Sequence, residues 1–335
     1  MSRFWSVLLL PLALFASSEE SCIFYGNPSY PRCPCSYAVE TTFDFLFLQP
    51  FEEGLTYAIR NDARQGAGGA DGTPGGPLID LEPRWQPGVR LSVGYAPSFT
   101  AKVVWTRFHA STTDHAHSEL TLPGVGLQSV WVPAIDTSVL YDSAAFRWNL
   151  NFDMLDFELG KRYEVSSFLT FNPVCLLRVG WIDQAFNAHY GASDSASAMN
   201  DFRGIGPGFA FRSEWGFAHG WEICCASGFS MLYGQFTSHY GISLLTAPAE
   251  VLIDGVDRQF SRLAAVADFS GGVGYGKCVA NGRFRVGGSL SYEAHVYWNQ
   301  NQLYQPMGSD APGILPQQSR DLSIQGFSLR GYFEF

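Results

Sequence analysis

Charge is scarce in this chain, and positive charge is scarcer still. Only 16% of its 335 residues are Asp, Glu, Lys or Arg, and 21 Lys+Arg against 31 Asp+Glu give a formal net charge of -10. With no cationic footprint, no nucleic-acid partner is expected. No G-x-S-x-G elbow, H-E-x-x-H pair or Walker A stretch occurs, so three common signatures of catalysis and nucleotide binding are missing. Gly66 to Gly76 is glycine-rich but lacks the Lys-Ser/Thr of a phosphate loop, and reads as a flexible loop. The seven cysteines contain no C-x-x-C repeat of a zinc site. Asp114-His115-Ala116-His117 offers only a lone H-x-H, so neither metal nor cofactor is expected. Past Ser18 there is no continuous apolar run of the ~20 residues that a membrane-spanning helix needs.

What the chain does have is 46% hydrophobic residues, 15% aromatics and 35 glycines. Disorder is excluded by the aromatics and the low charge. The length fits two domains or one barrel. Met1 to Ser18 reads as a secretory signal: Arg3 is the positive start, Val7 to Phe15 the short apolar core, and Ala16-Ser17-Ser18 the small-residue cleavage site. A lipid-attachment site is not expected at Cys22, because Glu19-Glu20-Ser21 precede it. The organisation read from the sequence is therefore a signal peptide over 1–18, a cysteine-containing periplasmic segment over 19–37 and an outer-membrane barrel over 38–335.

The barrel reading rests on alternation with period two. Phe146, Trp148, Leu150, Phe152 and Met154 share one face of a strand, and Arg147, Asn149, Asn151 and Asp153 the other. Similar rows recur at Val89 to Tyr95, Phe284 to Trp298 and Phe327 to Phe335. Large aromatics on one face, with Gly, Ser and isolated charges on the other, suit lipid outside and a polar lumen inside. Ten strands are predicted, at 38–60, 86–96, 100–109, 143–161, 167–185, 202–217, 221–237, 259–276, 283–298 and 322–335, with twelve as the alternative. Pro50 and Glu52-Glu53 interrupt the first, which predicts a bend or two pieces. The connections alternate between short turns, such as Pro97-Ser98-Phe99 and Ala218-His219-Gly220, and long stretches at 61–85, 110–142, 186–201, 238–258 and 299–321. That asymmetry belongs to a transmembrane up-and-down barrel with extracellular loops and periplasmic turns. The ending at Phe335, with Phe333, Gly331, Leu329 and Phe327 behind it, is the signal such barrels present to their assembly machinery.

Carrying the alternation along each strand assigns the pore-lining face. The acids expected there are Glu40, Asp44, Asp153, Asp156, Glu158, Glu214, Asp268, Glu293 and Glu334. The bases are Arg90, Lys102, Arg147, Arg178, Arg212, Arg262, Arg283, Arg285 and Arg330. Parity slips between Asp153 and Asp156, which predicts a β-bulge. Nine acids facing nine bases make a nearly neutral wall whose charges either pair and plug the bore or leave it open, since 8-stranded barrels are filled and 16-stranded ones are not. The long loops hold fifteen acids against four arginines, which predicts an acidic mouth and a weak cation preference. On this assignment Leu150 meets lipid, so Leu150→Arg should cost ~2–4 kcal/mol, and a charge at Asn149 less.

An odd cysteine count in an exported chain suggests a free thiol or a link to another chain. Cys22, Cys33, Cys35 and Cys278 fall on the periplasmic side and make either two internal disulfides or cross-links to other envelope proteins. Cys175 and Cys224-Cys225 lie in strands as packing residues. A rim enzyme would have to gather His109, His189, His239 and Asp183, but no Ser or acid is spaced to join them. An adhesin displaying loops 61–85 and 110–142 from a plugged barrel is the other alternative to a channel.

The runs Asp44-Phe45-Leu46-Phe47, Gly54-Leu55-Thr56-Tyr57-Ala58, Leu155-Asp156-Phe157-Glu158-Leu159-Gly160, Trp181-Ile182-Asp183-Gln184, Asp201-Phe202-Arg203-Gly204-Ile205-Gly206-Pro207 and Leu232-Tyr233-Gly234 resemble, in order and spacing, the MOMP-like family of pore-forming outer membrane proteins. That family includes the Legionella major outer membrane protein and environmental chlamydial members. The resemblance covers residues 38 to 335. It implies a porin for passive diffusion of small hydrophilic solutes, with outer-membrane lipid as its surroundings and no catalytic residues. It also implies a homo-oligomer and, through the cysteine-rich start, disulfide links to other envelope proteins.

Overall fold

The computed structural model describes residues 39–61, 76–95, 99–119, 125–132, 140–166, 168–192, 194–244, 251–280, 283–303 and 319–335. The expected signal peptide and the whole of the cysteine-containing segment lie outside them. In chain order the strands are β1 (Val39–Glu52), β2 (Thr56–Asn61), β3 (Leu78–Asp80), β4 (Gln86–Tyr95), β5 (Thr100–His117), β6 (Gly126–Ser129) and β7 (Ser143–Gly160). They continue with β8 (Tyr163–Glu164), β9 (Leu169–Tyr190), β10 (Asp194–Ala218), β11 (Trp221–Leu244), β12 (Val251–Val279), β13 (Phe284–Asn301) and β14 (Arg320–Glu334).

Ten of these close on themselves. β1 pairs with both β14 and β4, and the ladder runs on through β5, β7, β9, β10, β11, β12 and β13 back to β14, antiparallel at every step. A closed barrel leaves no edge strand at the level where all ten strands are paired on both sides, as must hold for a sheet that spans lipid. At one end the connections are tight. His219 and Gly220, with φ of 50° and 91°, make the two-residue hairpin between β10 and β11. β1 and β2 are separate pieces, as Pro50 and the paired glutamates suggested, and the break falls at Gly54, whose φ of 84° suits glycine.

The wall has two tiers. In the tier nearer the tight turns, apolar residues point outward. Phe43, Phe45 and Phe47 on β1, Phe157 and Leu159 on β7, Phe209 and Phe211 on β10, and Phe327, Leu329 and Phe333 on β14 are all exposed. On β9 this outward row runs from Leu169 to Trp181, which at ~3.3 Å per residue and ~40° tilt is about 30 Å tall, the depth of a bilayer core. Above it the outward residues become polar: Arg107, His109 and Ser111 on β5, Asn149 and Asn151 on β7, Asp183 and Asn187 on β9.

Inside the upper tier the order is reversed, and the interior is greasy. Phe108, Phe146, Trp148, Leu150, Phe186, Phe202 and Phe236 are all buried in one continuous apolar cluster. This overturns part of the facing expected from the sequence. Leu150 is fully buried in the lumen rather than in lipid, and Arg147 and Asp153 lie on the outer surface rather than on the pore wall. No bulge separates Asp153 from Asp156, because β7 keeps unbroken register with β5 and β9 throughout. Parity is constant along the strand, and what changes is the side on which the apolar residues stand.

The strands also run well beyond their expected ends. β9 and β10 continue to Tyr190 and from Asp194, so most of the loop expected at 186–201 is strand, turned at Gly191–Ala192. Likewise β5 runs on to His117, and β11 and β12 take up much of 238–258. Of the described parts of the connections, Leu55, Tyr57, Ala58, Leu127, Trp131 and Val132 are buried against the wall's apolar cluster. β2 pairs with β3 and β6 in a small sheet that sits in the mouth of the barrel.

Candidate functional site

The lumen of the lower tier is where the charged side chains converge. Asp156 on β7 takes a bidentate pair from Arg178 on β9, at 2.8 and 2.9 Å. Arg178 also reaches across to Asp268 on β12, at 2.7 Å. His295 on β13 bridges Asp268 at 2.7 Å and Glu293 at 3.2 Å. Glu293 accepts a fork from Arg90 on β4, both contacts 2.8 Å. Arg90 touches Asp44 on β1, which in turn accepts 2.9 and 2.8 Å hydrogen bonds from Arg330 on β14. Acid and base alternate along this chain, and it spans seven of the ten wall strands. Planar guanidinium forks suit such carboxylate pairing.

Nearer the tight turns a second set pairs more locally: Lys102 with Glu40 at 2.9 Å, Arg212 with Glu158 at 2.5 Å, Arg285 with Glu222 and Glu334 at 3.1 and 3.3 Å, and Arg162 with Glu214 at 2.6 Å. These residues surround a cavity of about 670 Å³. Its upper boundary includes Leu48, Phe152, Met154, Tyr297 and Ile324, which belong to the apolar cluster of the upper tier.

Of the residues expected on the pore wall, Glu40, Asp44, Arg90, Glu158, Arg178, Arg212, Glu214, Asp268, Arg285, Glu293 and Arg330 stand around this cavity or in the ion-pair chain, as do Lys102, Asp156 and Glu334. Arg262 stands apart at the loop end, donating to Gln302 Oε1 at 2.8 Å. Arg283 lies in the tight turn before β13, exposed, and Arg147 and Asp153 face outward. His295 and Glu222 were missing from the expected set. Both stand at inward parity, His295 beside Glu293 and Glu222 beside Cys224, so extending the alternation would have found them.

The plug above is held by aromatics and phenols. Trp131 packs on Phe146 and Phe186, with ring centroids 5.1 and 5.6 Å away. Its Nε1 donates to the Thr56 carbonyl at 2.9 Å. Tyr190 from β9 donates to the Tyr57 carbonyl at 2.5 Å, and Tyr240 from β11 to the Trp131 carbonyl at 2.6 Å. Tyr57 donates to Asp114 at 3.2 Å. Burial and that carboxylate push its phenol up, so it remains a donor at neutral pH. Several loop acids counted toward an acidic mouth are thus structural acceptors. Asp114 takes Tyr57, Asp194 takes Tyr141 at 2.7 Å, Asp80 takes Thr56, and Asp257 sits 2.6 Å from His239.

The profile of the Legionella pneumophila major outer membrane protein precursor family matches residues 32–335. The chain belongs to that family. It is therefore an outer-membrane barrel. No curated protein matches the sequence. Among solved structures, the outer membrane protease OmpT of Escherichia coli is 8% identical, with a TM-score of 0.43 over 90% of this chain and 98% of that one. The Pseudomonas putida toluene transporter TodX is also 8% identical, with a TM-score of 0.30 over 90% of each chain. A Pseudomonas aeruginosa FadL homologue is 9% identical, with a TM-score of 0.26 over 89% of this chain and 90% of that one.

Four cysteines are described. Cys175 and Cys225 face outward in the lipid-facing band, Cys224 faces the lumen, and all three are free thiols. Cys278 is disulfide-bonded. Cys22, Cys33 and Cys35 lie outside the described residues. His109 hydrogen-bonds Asn151 at 2.7 Å, on the outer surface of the upper tier. Asp183 stands opposite Asp201 across β9 and β10, also facing outward. Among the described residues no group of three or more His, Cys, Asp or Glu is placed to hold a metal.

Proposed function

We propose that the protein is a narrow outer-membrane channel for small hydrophilic solutes and ions, weakly cation-preferring, and closed at its extracellular end in this conformation. The observation that carries the reading is the charged chamber at membrane level. A barrel that served only to display loops could fill this space with packed side chains, as 8-stranded barrels do. Here a cavity of about 670 Å³ is instead lined by nine carboxylates against seven Arg and Lys, with His295 besides. A wall carrying that small excess of acid favours cations without excluding anions. No catalytic role is proposed for any residue.

A second reading, a plugged barrel with a structural or adhesive task, is favoured by a separate observation. The apolar cluster runs unbroken from Leu46 and Phe152 up to Trp131 and Tyr57. Planar bilayers separate the two. A channel gives small conductance steps whose reversal potential in a KCl gradient favours K+. No steps at any voltage would leave the plugged barrel standing, and an anion-selective reversal potential would overturn the cation preference.

A further inference from the structure

The ion-pair chain of the lower tier passes through one group whose charge is not fixed by its chemistry. His295 stands directly opposite Asp268 across β12 and β13 and lines the chamber. Its Nδ1 lies 2.7 Å from Asp268 Oδ1, and its Nε2 lies 3.2 Å from Glu293 Oε2. The ring is clamped between two carboxylates. It joins the Asp156, Arg178 and Asp268 half of the chain to the half formed by Glu293, Arg90, Asp44 and Arg330.

Neither carboxylate has a proton to give the ring. Glu293 accepts both arms of the Arg90 guanidinium, and Asp268 Oδ2 accepts from Arg178 at 2.7 Å. Carboxylates held by guanidinium in this way are ionised and can only accept. A neutral imidazole has one N–H and one lone pair, so either tautomer would aim its lone pair at a carboxylate oxygen. Both ring nitrogens therefore donate. The charge along the chain agrees: four carboxylates, those of Asp156, Asp268, Glu293 and Asp44, meet only three guanidiniums, those of Arg178, Arg90 and Arg330. An imidazolium at His295 brings the chain to neutrality.

We propose that His295 is a standing cation of the chamber wall, and that its charge is what keeps the channel's cation preference weak. The selectivity role rests on the channel reading; the charge state does not. Nine carboxylates face seven Arg and Lys around the chamber. With His295 neutral the wall would carry a formal excess of two negative charges, and with His295 charged the excess is one. In a confined bore with low-dielectric walls, a single unit of wall charge weighs heavily on which ions enter. The position adds to the effect, because His295 sits in the middle of the chain and its charge is felt by carboxylates on both sides.

Nuclear magnetic resonance of the refolded full barrel, isotope-labelled in its histidine ring nitrogens, reads the charge state directly. The two ring resonances that His295→Gln or His295→Lys removes should both lie, at neutral pH, at the position of a protonated nitrogen. One of them at the unprotonated position overturns the proposal. In planar bilayers under a KCl gradient, His295→Gln should raise the permeability ratio of K+ over Cl⁻ roughly twofold or more. His295→Lys restores the charge and should stay near the wild-type ratio. Neither substitution takes Arg178 or Arg90 from the two carboxylates, and the gel shift of folded barrels reports whether each variant has assembled. A ratio unchanged in His295→Gln, or raised as far in His295→Lys, also overturns the proposal. Wild-type barrels that give no steps sink the channel reading and the selectivity role with it, while the ring nitrogens still decide the charge.

Discussion

Leu150 and Leu159 sit nine positions apart on β7, and their surroundings are opposite. Leu159 is 56% exposed and points into the lipid-facing band, whereas Leu150 is fully buried in the lumen of the upper tier. Both obey the same alternation. Below the transition the outside is oil and the inside holds water and charge, so apolar residues take the odd positions of β7. Above it the outside is water, and the apolar residues move to the even positions to pack against one another and the plug. Alternation reports that a strand has two unlike faces. Which of them is the inner one depends on the medium at that height.

The widest separation comes from placing arginine on each side of the divide. Leu150→Arg buries an unpaired charge in a packed core and should cost more than ~4 kcal/mol, with loss of the folded form as the extreme. Leu177→Arg, outward in the lower tier, should cost ~2–4 kcal/mol. Asn149→Arg, outward in the upper tier, should stay within ~0.5 kcal/mol of wild type. Denaturant unfolding in phospholipid vesicles, followed by the gel shift of folded barrels, ranks the three. If Asn149→Arg cost as much as Leu177→Arg, the upper tier would be in lipid and the two-tier description would fail.

The tiers also differ in how their polar groups are satisfied. In the lower tier the charges form a connected chain, so removing one member strands its neighbours. Arg178→Met leaves Asp156 and Asp268 without their guanidinium and should cost ~3–5 kcal/mol, the expectation for a broken buried ion network. Arg147→Met removes a charge from the outer surface, where Arg147 donates to Thr113 Oγ1 at 3.2 Å and forms no ion pair among the described residues, and should be nearly silent. Equal effects from the two arginines would show that the chain is not coupled as its geometry suggests.

The same contrast explains how much could be read before the fold was known. Closure, strand number and the sorting of tight turns to one end follow from alternation and spacing, and the lower-tier faces of Asp44, Arg90, Glu293 and Arg330 follow from parity. The inversion at Asp153–Asp156 was legible only as a slip, because parity alone cannot tell an inserted residue from a change of medium. Strand length held the missing signal. A membrane crossing takes about 9–11 residues, while the alternation of β9 continues for 22. The excess has to stand outside the bilayer with its polar face to water. The plug was less legible, since Leu55, Tyr57, Leu127 and Trp131 sit in connections of mixed composition, and their inward fold depends on phenols reaching from β9 and β11.

The smallest effect sharpens the description of that plug. Tyr57 contributes one neutral donor to Asp114, and Asp114 also accepts the His115 backbone N–H at 2.8 Å. Tyr57→Phe keeps the ring, which stacks on Phe146 at 5.6 Å, and leaves the carbonyl that accepts from Tyr190. Only a single hydrogen bond is lost, so the cost should be ~0.5–1.5 kcal/mol. Tyr57→Ala removes the ring as well and should approach the ~3–5 kcal/mol of a large aromatic truncated in a packed core. If the two variants were equally mild, the plug would rest loosely in the mouth of the barrel. A wide gap between them means that the mouth is sealed by packing, with the phenol serving only to set the register of β2 against β5.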